Sequence, residues 1–341
     1  MKVLIDSSGL PFSLAHGGAT TQVVETVNAL REIGVDVEYA RWWDSHQHGD
    51  LIHVFGTPSK AYIDFARAKR IPVINTTLFT ETCNRSPENL RIQGLMVSAL
   101  LKIPAIPPWG AIRSQLKWSS YKACDLNIVG LNVEADVLRK VYSVPDEKIK
   151  LIPLGLSQHF LKASHGEQLS DSLITTGTIT ERKRSLELAT MAKAAKVPVH
   201  FIGKPYDEDG AYWKSFKALI DDKYVMHTPH TESVDEMVRL LKQSKGYILY
   251  SDYENWCLSA HEAIACGIPI LIPDQPWSRE LFGDQASYLL PGKIDENTLR
   301  LKTFYDSIPS LKAPDISLYS WNDVARQLVA TYEGILQTPS S

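Results

Sequence analysis

Glu254 and Glu262 are the residues whose types and spacing first suggest chemistry. They lie eight positions apart in YENWCLSAHEAIACGIPIL (253–271), around an aromatic residue, a cysteine and a helix start. The strand-like run GYILYS ends at Ser251, so DYENWCL falls at a strand's carboxyl end. Ser259-Ala-His-Glu262 has the spacing of a capping box, which predicts a helix starting at Ser259 and leaves two roles open for Glu262. It can fold back as a cap, or it can accept hydrogen bonds from ligand hydroxyls, with ribose hydroxyls the obvious donors. Backbone N–H groups of residues 256–259, aided by the helix dipole, would form an anion site suited to a phosphate.

A second cluster is TGTITERKRS (176–185). Thr176, Gly177 and Thr178 close a strand, and Arg182 and Lys183 precede a helix for which Ser185 could serve as cap. An arginine fork beside a lysine point charge suits a diphosphate, although paired cations in such a loop also suit a solvated turn. A third is His16-Gly17-Gly18 before the first long helix. Glycine lets a backbone approach a ligand closely, and a plain tight turn is the other reading. Neither a G-x-G-x-x-G fingerprint nor a Walker loop is present.

The elements that must position these residues alternate between strand and helix. KVLID, VDVEY, DLIHVFG and IPVIN are strand-like, and TTQVVETVNALREIG and AYIDFARAKR have helical spacing. After IKLIPLGL a second series runs LITTGT, RSLELATMAKAAK, VPVHFIG, SVDEMVRLLKQS, GYILYS and IPILIP. The fold class is therefore α/β with two Rossmann-like parallel sheets, and ligands of such sheets bind at strand carboxyl ends. We place an N-terminal domain at 1–160, a second at 170–316, a linker in SQHFLKASHGEQLSDS (157–172), and an amphipathic terminal helix at 320–337 that returns to the first domain.

Composition is compatible with this reading and excludes others. The chain has 341 residues, 44% of them apolar, enough for two cores at about 100 to 200 residues each. The 36 basic and 39 acidic residues nearly balance, so no global charge draws the chain to nucleic acid. The N-terminal MKVLIDSSGLPFSL is too short in apolar residues for a signal core, and the apolar stretch 94–112 is broken by Lys102 and Pro104, Pro107 and Pro108. A cytoplasmic protein is expected. Cys83, Cys124, Cys257 and Cys266 form neither a C-x-x-C pair nor a disulfide framework. Asp44, His46, His48 and Asp50 alternate as a metal site would, but Gly49 and the polar run favour a loop.

The motifs resemble one family. YSDYENWCLSAHEAIACGIPILIPDQPWSRELFGD is similar to the E-x7-E signature of retaining GT-B glycosyltransferases of family 4 (group 1), and GTITERKRSLELA to that family's G-T-x-x-x-R-K stretch. The run from DLNIVGLN to LIPLG resembles the close of its first domain, and SWNDVARQLVATYEGIL its last helix. The resemblance implies GT-B architecture and transfer of a sugar, with retention, from a nucleotide diphosphate sugar to a glycan, glycolipid or small-molecule acceptor. No metal or other cofactor is implied. It implies that Glu254 stands by the donor sugar, Glu262 holds the ribose hydroxyls, Arg182 and Lys183 neutralise the diphosphate, and Gly17 and Gly18 close on the phosphates. His227, Pro229 and His230 of HTPHTES would border the base, and His16 would lie on the acceptor side. The family's G-x-G-L is here Asn255-Trp256-Cys257-Leu258, its frequent arginine is Thr178, and a common first-domain histidine is absent near VINTTLF. A non-catalytic GT-B subunit and a sugar-nucleotide epimerase are the rival expectations. Lys102, Arg113, Lys117 and Lys122 with Trp109 and Trp118 could make a lipid-facing patch for peripheral membrane association, or belong to a domain helix and an acceptor loop.

Overall fold

The computed structural model describes residues 1–7, 17–41, 43–79, 81–103, 119–163, 170–229, 231 and 233–337. The chain divides into two compact units, Met1–Gly155 with Trp321–Ser341, and Leu156–Ser320.

Each unit is built on a six-stranded sheet in which every recorded pairing is parallel. In the first unit the strands are β1 (Lys2–Ser7), β2 (Asp36–Tyr39), β3 (Leu51–Phe55), β4 (Val73–Thr76), β5 (Leu126–Val129) and β6 (Ile149–Leu151), in spatial order β2-β1-β3-β4-β5-β6. In the second they are β7 (Leu173–Thr176), β8 (Val199–Ile202), β9 (Val225–Thr228), β10 (Gly246–Ile248), β11 (Ile270–Pro273) and β12 (Ser287–Leu289), in order β12-β11-β10-β7-β8-β9. Interior strands β4, β5, β7 and β11 are buried at every position; β11 reads as an unbroken apolar run, and the others mix apolar residues with buried Asn75, Asn127 and threonines. Edge strand β2 alternates instead.

Both orders contain a reversal. From β1 the first sheet grows one way to β2 and then the other way to β3; from β7 the second grows to β8 and β9, then returns to β10 on the opposite side. The loops leaving the two strands at such a switch point diverge and leave a crevice at the strand carboxyl ends. Gly17 follows β1, whereas residues 177–184 follow β7 and residues 251–257 follow β10. His16 lies outside the described residues.

The second unit has its core in Leu188, Met191, Phe201, Phe216, Ile248, Tyr250, Leu271, Leu301 and Phe304. The first unit buries Val3, Ile5, Val27, Leu30, Leu51, Val54, Ile74, Ile128 and Leu138. The terminal helix Trp321–Gln337 completes it, burying Trp321, Val324, Ala325, Leu328 and Tyr332. The helix Pro87–Lys102 buries Leu90, Gly94 and Val97 and exposes Ile92, Leu95 and Met96. No helix among the described residues is long and apolar enough to cross a membrane.

Three local expectations are corrected. The helix after the first glutamate is Leu258–Ala265, one residue earlier than Ser259, and Cys257 at its cap position adopts φ 57 in the left-handed region. Ser259 is no cap, because its Oγ accepts a 2.7 Å hydrogen bond from the Tyr247 hydroxyl beneath it. Ser185 is likewise no cap: it is the first helical residue of Ser185–Ala195, behind Arg184 at φ 47. The stretch expected as a linker begins with the short helix Gln158–Leu161, capped by Ser157 and anchored by buried Phe160.

Candidate active site at the switch point of the second sheet

Lys183 reaches Glu254 across the closely packed tips of β7 and β8. A Cβ on Gly203 would stand 1.9 Å from the Gly177 carbonyl oxygen, so the tips of β7 and β8 touch backbone to backbone. A Cβ on Gly177, at φ +140, would stand 3.6 Å from Lys183 Nζ, so the lysine chain lies across that tip. Lys183 Nζ then donates to Glu254 Oε1 at 2.6 Å, and Arg182 Nη1 donates to the same oxygen at 3.2 Å and to the Tyr253 carbonyl at 2.5 Å.

The loops 182–184 and 252–254 are clasped along their length. The Asp252 amide donates to the Arg182 carbonyl at 2.8 Å, and Arg184 Nε pairs with Asp252 Oδ1. Left-handed Arg184 is thus tied down by a carboxylate and lies over the Tyr250 ring. Sequence reasoning missed Arg184, Asp252 and Ser251. The basic triplet 182–184 facing the acidic pair at 252 and 254 is a complementary pattern that could have revealed the clasp.

The two glutamates differ in electrostatics. Burial pushes the Glu254 carboxyl up, but Lys183 and Arg182 more than offset this and hold it below the ordinary range. Glu262 is half-buried, and burial pushes it up to about 7, with Lys183 opposing. Its carboxylate takes no hydrogen bond among the described residues, so it is not a helix cap. Cys257 is buried and its thiol is pushed up to about 12, which keeps it protonated. Trp256 stacks on His261 with ring centroids 5.1 Å apart, and His261 Nδ1 lies 3.1 Å from the Cys257 carbonyl. Asn255, Trp256 and Leu258 are half-buried, as is Thr178 beside Gly177.

The remaining expected residues are more distant from this clasp. His227 Nε2 donates to the Gly203 carbonyl at 2.9 Å, Pro229 is exposed, and His230 lies outside the described residues. Gly17 and Gly18 belong to the first unit, where they open the helix Gly18–Glu32 with free space where a side chain would stand. Of the surface-patch residues, Lys102 and Lys122 are exposed, while Trp109, Arg113, Lys117 and Trp118 lie outside the described residues. Asp44 is held by Arg41, and Asp50 accepts from the Lys2 amide. Among the described residues no group of three or more His, Cys, Asp or Glu side chains is placed to hold a metal ion.

This cluster lies within the part of the chain that matches a known family. Residues 167–303 match the glycosyl transferases group 1. The group 1 segment thus contains Arg182, Lys183, Glu254 and Glu262. The chain is also similar to the MMP alpha-(1->4)-mannosyltransferase of Mycolicibacterium hassiacum, 24% identical over 245 residues, which are 67% of this chain and 59% of that relative. The match therefore spans less than two thirds of the relative's length. Among solved structures, sucrose-phosphate synthase from Thermosynechococcus elongatus has a TM-score of 0.66 at 14% identity, covering 98% of each chain. Anabaena HepE, solved with UDP and glucose, has a TM-score of 0.63 at 14% identity, covering 97% of this chain and 99% of its own. At these identities the likeness establishes the fold, which is that of GT-B glycosyltransferases, with two Rossmann-like units.

Proposed function

We propose that the chain is a retaining, metal-independent glycosyltransferase that moves a sugar from a nucleotide diphosphate sugar to a glycan, lipid-linked or small-molecule acceptor. The observation that carries this reading is the meeting of Lys183, Arg182 and Glu254 at the switch point of the second sheet, with Glu262, which takes no hydrogen bond among the described residues, close enough to respond to Lys183. The group 1 match over the same segment supports it, as do the mannosyltransferase relative and the UDP and glucose bound to HepE.

On this reading the diphosphate is the leaving group. Lys183, Arg182 and the N–H groups at the start of helix Leu258–Ala265 stabilise the charge that develops on it. Glu262 accepts from the ribose hydroxyls, and Glu254 stands by the sugar. In a same-face displacement the departing phosphate oxygen takes the acceptor proton, so no dedicated enzyme base is needed. The two cations take the charge that a metal would otherwise neutralise, and chelation should leave the rate unchanged. His227 and Pro229 border the base. Gly17 and Gly18, opening a helix at the other unit's switch point, supply a further anion-binding backbone. Exposed Ile92, Leu95 and Met96, on the helix that ends at exposed Lys102, favour peripheral association with a membrane from the cytoplasmic side.

Side chains at Asn255 and Cys257, where the family has glycines, favour a second reading as a non-catalytic GT-B subunit. Incubation with a panel of nucleotide sugars separates the readings. Slow release of free sugar with its anomeric configuration kept, followed by proton NMR, supports the transferase. An isomerised donor indicates an epimerase, an inverted product removes the retaining mechanism, and no nucleotide-sugar binding leaves the subunit. Flotation with anionic liposomes tests the membrane: protein that stays at the bottom of the gradient ends that part of the proposal.

A further inference from the structure

Ser251 is left unused by the donor-site reading. It is 1% exposed, just beyond β10, and its buried Oγ makes no hydrogen bond of good geometry among the described residues. A hydroxyl sealed from water without a well-formed hydrogen bond is destabilising and calls for a physical reason. The same hydroxyl lies beside the Glu254 carboxylate, three residues further on, and favours its charged form.

Glu254 is meanwhile committed to the cations. Its Oε1 accepts from Lys183 at 2.6 Å and Arg182 at 3.2 Å, and Lys183 and Glu254 are only 14% and 11% exposed in their side chains. Among the described residues Lys183 makes its ion pair with Glu254 alone. A diphosphate arriving at Lys183 would meet the Glu254 charge at close range in a poorly hydrated site, where like charges repel strongly. Glu254 must therefore leave Lys183, or the diphosphate stays out.

We propose that Ser251 is a positioning residue that receives the Glu254 carboxylate when a donor diphosphate replaces it on Lys183 and Arg182. This rests on the donor-site reading above. Before binding, Glu254 serves as the internal counter-ion, so neither Lys183 nor the carboxylate is buried uncompensated. After binding, the diphosphate neutralises the cations and the Ser251 hydroxyl donates to the displaced carboxylate. The Ser251 hydroxyl, already beside the Glu254 carboxylate but without a well-formed hydrogen bond to it, is the waiting half of that second arrangement. No covalent bond changes in the exchange.

Calorimetric titration of the full chain with inorganic diphosphate, UDP and GDP at fixed ionic strength tests it. Lys183→Ala should weaken binding by about tenfold or more, as loss of a charge-assisted contact does. Glu254→Gln removes the competing charge and should tighten binding by about three- to tenfold. Ser251→Ala should weaken binding by about threefold or more in the wild-type background and change it less than about twofold in Glu254→Gln, a non-additivity that a purely structural serine would not produce. Ser251→Thr, which keeps the hydroxyl, should restore affinity. Lys183→Ala binding like wild type would remove the donor site, and the exchange with it. Loss of binding in Lys183→Ala without tightening in Glu254→Gln, or equal effects of Ser251→Ala in both backgrounds, would overturn the exchange alone.

Discussion

A carboxyl that burial raises to about 7 changes charge within the range where most enzymes work. The groups that act with or on Glu262 are Lys183, which opposes the shift, and Tyr247 and Cys266, whose own acidities the Glu262 charge weakens. A raised carboxyl makes the folded state hold a proton that the unfolded chain has released, so its ionisation costs stability as pH rises through about 7. An ionised carboxylate accepts from ribose hydroxyls more strongly than a protonated one. Nucleotide-sugar affinity should therefore rise between pH 6 and pH 8, and Glu262→Gln should bind several-fold more weakly with a flattened pH dependence. A wild-type affinity by calorimetry that is constant or falling over that range would contradict the ribose role. The sequence made both glutamates legible through their spacing, yet it left Glu262 divided between cap and ligand. What removes the capping box is the different start of the helix, at Leu258 behind left-handed Cys257, with Ser259 engaged by the Tyr247 hydroxyl from another element, a contact that no local pattern encodes.

At the scale of elements, the interior strands were readable because a parallel sheet covered on both faces requires runs such as LITT and ILIP. The starts of the two site helices were not, since both follow non-glycine residues in the left-handed region, Arg184 and Cys257. Such residues cost about 1–2 kcal/mol each and follow no local propensity. Arg184 is retained there by Asp252, which comes from a different loop. The touching tips of β7 and β8 make a sharper prediction. Gly203→Ala would force its Cβ to within 1.9 Å of the Gly177 carbonyl, and backbone rather than a flexible side chain must move. We expect a loss of about 1–3 kcal/mol in stability, together with weaker diphosphate binding as the seat of Lys183 shifts. Thermal unfolding and calorimetry on one preparation check this; an unchanged melting temperature would show that the tips separate freely. Gly177→Ala meets only ordinary contacts at 3.5–3.6 Å, but its φ of +140 is strained for any side chain, so it should affect the loop more than the fold.

At the scale of the whole chain, the crossing at 155–156 and the return at 320–321 make the units unequal in their dependence on sequence continuity. The first unit needs a distant helix. His53, fully buried in β3, lies with Nδ1 2.7 Å from the Tyr332 hydroxyl and Nε2 2.6 Å from Thr76 Oγ1. Its burial lowers the imidazole to about 3, so it folds neutral. Unfolded His takes up a proton below about 6.5, so stability is intact above that pH and falls by up to ~1.4 kcal/mol per pH unit on acidification towards 3. Tyr332→Phe, which orphans Nδ1, should cost about 1–3 kcal/mol in the first unit's unfolding transition. The amphipathic pattern made this helix visible, but the buried histidine it serves was not, because nothing local to DLIHVFG distinguishes His53 from a strand's solvent-facing polar residue. The second unit, in contrast, is continuous. All six of its strands, and Arg182, Lys183, Ser251, Asp252, Glu254 and Glu262, fall between Leu156 and Ser320. Its core draws on that span alone. A fragment of residues 156–320 should therefore fold and bind UDP or GDP within about tenfold of the full chain, a deficit of no more than about 1.4 kcal/mol, since Arg182, Lys183, Glu254 and Glu262 all lie within it. Circular dichroism and calorimetry on the fragment decide the matter. A folded fragment with no nucleotide affinity would mean that the first unit supplies the principal phosphate contacts and that the Lys183–Glu254 clasp is secondary.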